Sequence, residues 1–277
     1  MHWWWRKLQQ SPSGFLGISI LLVMIIASIF APSLAPSDPN VSHLGNRLQP
    51  PGSPGNLLGT DQQGRDILSR IIYGGRVSMM VGFTCAVIAG VIGTTVGLLA
   101  GYYGGYVDVI LMRIVDVQMT FPFMLLAILV NAILGLGLRN ILITLIIVGW
   151  VWYARITRGE VLSLKQQEFV QSAVATGAGD VYIIVRHLLP NVISPLLVIA
   201  SVQVAQFIVA EASISFLGFG IQPPTPAWGN MLAEGRDYLL RAWWLATLPG
   251  LALTITVLGV NLTGDWLRDT LDPTLRE

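Results

Sequence analysis

The sequence predicts an all-α, polytopic membrane protein with six transmembrane helices. Three observations carry this expectation. The 277 residues are 53% hydrophobic and 11% charged, against roughly 25% charged in an average soluble domain. Six apolar runs are long enough to cross the hydrocarbon core, which takes about 20 helical residues. No strand-like alternation of apolar and polar residues competes with them.

The runs fall at about 14–32, 77–101, 117–137, 139–157, 193–217 and 243–264. The first follows Trp3, Trp4 and Trp5 beside Arg6 and Lys7, which read as an interfacial anchor of a retained helix. A cleaved signal would have a shorter apolar region of about 7–15 residues. The second run carries Gly82, Ala86 and Gly90, then Gly93, Gly97 and Gly101. Small residues four apart let two helix backbones approach closely in lipid, so this face is read as a packing surface. A tight external turn near Gly135, Gly137 and Arg139 separates the third and fourth runs.

Cationic residues favour the cytoplasmic side. With the N-terminus inside, that side holds Arg6, Lys7, Arg113, Arg155, Arg158, Lys165, Arg186, Arg268 and Arg276. The external side holds Arg47, Arg65, Arg70, Arg76, Arg139, Arg236 and Arg241. Nine against seven favours cytoplasmic termini by a small margin.

Several function classes drop out. A net charge of +1 gives no general attraction to nucleic acid. The single cysteine, Cys85, allows no internal disulfide, and the three histidines lie far apart. No metal-ligand cluster or metallohydrolase motif is present, and no serine-hydrolase motif. Neither lysine, Lys7 nor Lys165, follows a glycine, so the phosphate-cradling G-x-x-x-x-G-K-[ST] loop is missing. No catalytic, cofactor-binding or metal-binding residue is expected in this chain.

The longest polar interval of the second half is QQEFVQSAVATGAGDVYIIVRHLLPN, residues 166–191. Glu168 sits where a carboxylate complements a helix start. Gln171, Ser172, Ala173 and Ala175 lead to Gly177, a left-handed cap. Asp180 is read as the cap of a second helix that ends at Pro190. Small residues at 172, 173, 175 and 178 leave a surface that another protein can approach. A plain link between two spans is the alternative.

Three further regions stand out. In LGTDQQGRDILSRIIYGGRVS (58–78), Asp61 with Arg65 and Asp66 with Arg70 are acid-then-base at four-residue spacing. That predicts an external amphipathic helix along the membrane. The stretch QPPTPAW is too proline-rich for a helix, and is read as an external turn with Trp228 at the interface. Glu211 lies in the fifth run, where an acid is costly and faces a cavity or a partner. It either lines the external half of a pathway or bonds a neighbouring helix or the 223–230 turn. Gln203 falls roughly on its side two turns back. Gln206, Asn131 and Asn261 are further pathway candidates, with helix–helix hydrogen bonds as the alternative.

Gln171-Ser172-Ala173, Gly177 and Leu189-Pro190 resemble the "EAA" loop of importer-type ABC permeases. Gln171 stands where glutamate is usual, and Ser172 where alanine is usual. Residues 58–78, MTFP (119–122), SFLGFGIQPPTPAWGNML (215–232) and GDWLRDTLDPTLR (264–276) resemble the C-type permease of peptide/nickel importers. The resemblance covers nearly the whole chain. It implies a type I ABC importer permease fold with an N-terminal helix and external segment (1–75), a transmembrane core (76–266) and a cytoplasmic tail (267–277). It implies that 166–191, with His187 among its residues, is cytoplasmic and couples the spans to an ATPase. It further implies a multi-pass inner-membrane subunit with both termini cytoplasmic. The implied partners are a B-type permease, two ATPases that bind the ATP and magnesium, and an extracytoplasmic binding protein. Peptides are the default cargo; nickel chelates, glutathione, opines and oligosaccharides are alternatives within the family. An ATP-independent secondary transporter is the reading from another class, and Glu211 is the only deep acid available to it. An intramembrane enzyme lacks a nucleophile–base or metal set.

Overall fold

The computed structural model describes residues 7, 8 and 11–271. The expected anchor at Trp3, Trp4, Trp5 and Arg6 lies outside the described residues, as do Arg276 and the rest of 272–277. Among the described residues the regular structure is helical, with two isolated bridges in the segment before the second long helix.

Helix α1 spans Pro12–Ile29. Ser11 Oγ accepts from the Gly14 amide at 3.2 Å, and Pro12 occupies the first turn, where its missing N–H costs nothing. An external segment with only short helical turns leads to α2, Ile67–Tyr103. Asp66 caps α2 by accepting from the Ser69 amide at 2.7 Å. This helix starts ten residues before the apolar run does, because buried partners satisfy its first polar side chains, Ser69 and Arg70. The boundary at 75/76 therefore falls inside a helix.

The third expected span is not one straight helix. Helix α3 (Gly105–Met119) and helix α4 (Phe123–Leu134) meet at 91°. Pro122 has no N–H and holds Phe121 away from helical geometry, so the ladder breaks at Thr120–Pro122. Helix α5, Leu138–Leu164, follows a tight turn in which Gly135 and Gly137 have φ of +91° and +121°. Asn140 Nδ2 closes that turn by donating to the Leu134 and Gly135 carbonyls.

Helix α6 is Glu168–Ala175. A single turn (Asp180–Tyr182) and a π-helical stretch (Ile183–Leu188) then run directly into α7, Leu189–Phe216. Helix α8 is Trp228–Arg236, and α9 is Trp244–Leu271. Among the described residues, five helices are long and apolar enough to cross a membrane, or six if the bent α3–α4 pair counts as one span.

Helix α2 is the central post. Gly93, Gly97 and Gly101 bring it against Tyr153, Ala154, Thr157 and Val161 of α5. Gly82 faces Ile208 of α7. The small-residue face is thus a packing face, as expected, and its partners belong to this chain. Close backbone approach replaces the hydrophobic drive that lipid removes. Gly14 and Gly17 of α1 press on Trp266 and Leu262 of α9. Trp244, at the other end of α9, donates to the Thr60 carbonyl at 3.1 Å. The start of α1, the end of α9 and the 166–191 hairpin therefore share one end of the bundle.

Candidate functional site

The hairpin has two faces. Val170, Ile183, Leu188 and Val192 are buried with Leu98 and Val161 at the ends of α2 and α5. Phe169, Val174, Val181, Tyr182 and Val185 point away and are 42% to 72% exposed. His187 packs near two of them, edge-on to Tyr182 with ring centroids 5.5 Å apart and tilted to Phe169 at 6.2 Å. Glu168, Gln171 and Ser172 are exposed on α6, while Ala173 and Leu189 pack against the buried cluster.

The turn is glycine-dependent as expected. Gly177 has φ of +77°, and the Ala178 amide reaches back to the Ala173 carbonyl at 3.0 Å. This five-residue closure is the Schellman pattern, which needs a left-handed residue after the helix. Two expectations are corrected. Asp180 does not cap its helix: the cap position is Gly179, and Asp180 Oδ1 instead accepts from the Tyr102 hydroxyl at 2.8 Å. Pro190 does not stop the helix either. It occupies the first turn of α7, and the preceding bonds shift to π spacing, with the Leu189 amide donating to the Ile184 carbonyl. A wider turn is a recurrent way for a helix to absorb a local misfit.

Tyr102 and Lys165 were not legible as site residues. Lys165 Nζ donates to the Tyr102 carbonyl at 2.6 Å, and lies 5.5 Å from the Tyr102 ring centroid. A cation there complements the orphan carbonyls at the end of α2. The end of α2 thus holds the entry to the hairpin through Lys165, the cap of α5, and its second helix through Asp180. Nearby, Arg158 of α5 grips Asp108 of α3 through two hydrogen bonds, of 2.5 and 2.6 Å.

Glu211 is fully buried. It accepts from Ser78 Oγ of α2 and from Ser215 Oγ, each at 2.8 Å. Ser215 Oγ accepts in turn from the Ile221 amide at 3.1 Å. Of its two readings, the geometry shows the helix-bonding one. Gln203, two turns back from Glu211, is buried on the same helix, whereas Gln206 is exposed. Asn131 binds the Phe219 carbonyl and accepts from Thr144 Oγ1 at 3.3 Å, as a helix–helix bond. Asn261 is exposed on α9.

At the opposite end, the expected amphipathic helix is replaced by a buried charge cluster. Asp61 and Arg65 precede α2 in a turn, and Asp66 is its cap. Asp61 Oδ2 receives both Arg65 and Arg70 at 2.6 Å, and Glu234 of α8 receives them at 2.9 and 2.8 Å. Arg70 therefore pairs with Asp61 and Glu234, not with Asp66. Trp228 is likewise corrected. It is fully buried, and its indole donates to the Ile71 carbonyl at 3.0 Å. Gly74 and Gly75 leave room for its ring, which a Cβ at Gly75 would meet at 2.9 Å.

The family described as the inner membrane component of binding-protein-dependent transport systems matches residues 93–277. The N-terminal transmembrane domain of oligopeptide transport permease C matches residues 2–51. The chain is 40% identical over 277 residues to the di/tripeptide transport system permease protein of Pseudomonas aeruginosa, covering 98% of this chain and 91% of that one. It is 44% identical over 275 residues to the glutathione transport system permease protein of Pectobacterium atrosepticum, covering 99% and 91%. Among solved structures it resembles the inward facing MetNI methionine ABC transporter, with a TM-score of 0.60 at 18% identity, over 74% of this chain and 98% of that one.

Proposed function

The chain belongs to the family of binding-protein-dependent transport system inner membrane components, and from that premise we propose that it forms half of a peptide pathway driven by partner ATPases. It is a multi-pass permease subunit of an ABC importer with a type I fold. The observation that carries the coupling role is the two-faced hairpin. Its inner face is fixed to α2 and α5, and its outer face presents Phe169, Val174, Val181, Tyr182 and Val185. An exposed apolar patch on a rigid support is what a docking partner requires.

In this reading residues 166–191 lie in the cytoplasm and seat on an ATPase. Both termini then lie on the same side, in line with the excess of Lys and Arg there. ATP and magnesium are held by two partner ATPases, because this chain has no phosphate-cradling loop. A related B-type permease supplies the other half of the pathway, and an extracytoplasmic protein delivers the cargo. Closure of the ATPases moves the hairpin, and the spans alternate access around a central cavity. Peptide cargo is supported by relatives named for dipeptides and di/tripeptides at 40% identity. The glutathione relative keeps the cargo within short peptides.

The test is mild-detergent purification of the tagged chain from its native membrane, with mass spectrometry of the recovered proteins and released small molecules. The expected result is a second permease, two ATPases and a binding protein carrying a short peptide. Recovery of the chain as a homo-oligomer whose transport persists without ATP would overturn the reading in favour of a secondary transporter.

A further inference from the structure

A groove of about 440 Å³ lies between α1 and α2, lined by Ile25, Ser28, Ile29, Met79, Met80 and Phe83, with Arg76 and Thr84 at its wall. It lies at the end remote from the coupling hairpin. Its depth in the bilayer follows from α1. Eighteen helical residues extend about 27 Å, close to the roughly 30 Å of a hydrocarbon core. Ile29, followed by a further helical turn at Ala31–Leu34, therefore lies near the hydrocarbon boundary, and Arg76 lines the same groove. Arg76 is exposed and enters no ion pair among the described residues. The arginines nearest in sequence, Arg65 and Arg70, are both neutralised by Asp61 and Glu234.

An unpaired guanidinium at the hydrocarbon boundary needs an anion, and the bilayer supplies one at that depth. We propose that this groove is a phospholipid site, with the lipid phosphate on Arg76 and one acyl chain along Ile25, Met79 and Phe83. The guanidinium fork matches two phosphate oxygens, which a lysine ammonium does not. The hydroxyls of Ser28 and Thr84 do not compete for the phosphate. Ser28 already donates to Met79 Sδ at 3.5 Å, and Thr84 lies two helical turns further along α2. The bound lipid would fill the groove beside the Ser28–Met79 contact between α1 and α2. The site depends only on the chain spanning a membrane, so it stands or falls independently of cargo and coupling.

The experiment is native mass spectrometry of the purified assembly, stripped by detergent exchange and titrated with dioleoyl phosphatidylglycerol. Diolein, which has the same chains without the phosphate, and inorganic phosphate are the comparison probes. The expected result is one saturable phosphatidylglycerol per chain, with little binding of either comparison probe. Arg76→Gln should weaken that binding about tenfold, the scale of a lost charge-assisted pair. Thr84→Trp, which fills the groove, should displace the lipid, and Arg139→Gln, an exposed arginine elsewhere, should leave it bound. If Arg76→Gln fails to assemble, Thr84→Trp alone decides. Unchanged binding in Arg76→Gln or in Thr84→Trp would overturn the proposal. So would equal loss in Arg139→Gln, equal binding of diolein, or loss of a protein subunit in place of the lipid.

Discussion

The Ser78 hydroxyl donates a 2.8 Å hydrogen bond to Glu211 Oε2, tying α2 to α7 in the interior of the bundle. Ser215 occupies the other carboxylate oxygen and passes the constraint to Ile221. Glu211 therefore joins three segments. Glu211→Ala leaves two buried hydroxyls without their acceptor, at about 1–3 kcal/mol each. Glu211→Gln keeps an acceptor for one of them and should lose less. The check is the thermal midpoint of the detergent-solubilised chain. Full stability of Glu211→Ala together with lost uptake of a labelled dipeptide would return Glu211 to the pathway.

Asp61 is the hub of the external charge cluster. It takes Arg65 and Arg70 together with the amides of Gln63 and Arg65. Removing one member of a buried pair costs about 3–5 kcal/mol, because the remaining charge is stranded. Asp61→Ala should therefore destabilise by that order, and Glu234→Ala, which is 19% exposed, by less. Arg236, whose pair with Asp237 is mostly exposed, should matter by under about 0.5 kcal/mol when replaced by Ala. Thermal midpoints of the three variants give the order, and equal midpoints would refute it.

The spans were legible because length and hydropathy act locally. So was Gly177, because a helix that ends on a left-handed residue leaves a glycine behind. The charge cluster was half legible. Asp61, Arg65 and Arg70 were visible as charges, but Glu234 meets Arg65 from 169 residues away, and four-residue spacing suggested a helix where a turn exists. Trp228 failed for a similar reason. Its prolines spoke for a surface turn, while the slot that receives its ring is cut by Gly74 and Gly75 on another helix. The α3–α4 elbow was written in Pro122, yet hydropathy ran straight across it. Tyr102 carried no local signal, since its partner Asp180 is 78 residues away.

Trp228 should behave as a core residue. Trp228→Phe keeps the ring but loses the bond to the Ile71 carbonyl, at about 1 kcal/mol. Trp228→Ala opens a cavity as well, at about 3–5 kcal/mol. Urea or thermal unfolding separates the two. If both variants lose the same small amount, the ring does not fill the slot.

The end of α2 holds the entry to the hairpin at Lys165 and its second helix at Asp180, and this separates anchoring from docking. Tyr102→Phe removes only the hydroxyl that donates to Asp180, and Tyr102 faces the interior side of the hairpin, away from the exposed Phe169 and Val181 patch. The ATPases should still bind and hydrolyse ATP, while their motion reaches α2 less completely. Uptake of a labelled dipeptide should fall severalfold with ATP hydrolysis largely retained. Gly177→Asp acts on the turn itself. A left-handed residue with a side chain costs about 1–2 kcal/mol, and the added carboxylate enters open space at the turn. That variant should remain in the membrane yet abolish uptake and uncouple hydrolysis from it. Val181→Asp should instead lower recovery of the ATPases in a pull-down, because it places a charge in the apolar patch. Normal uptake in all three variants would remove the hairpin from the transport cycle.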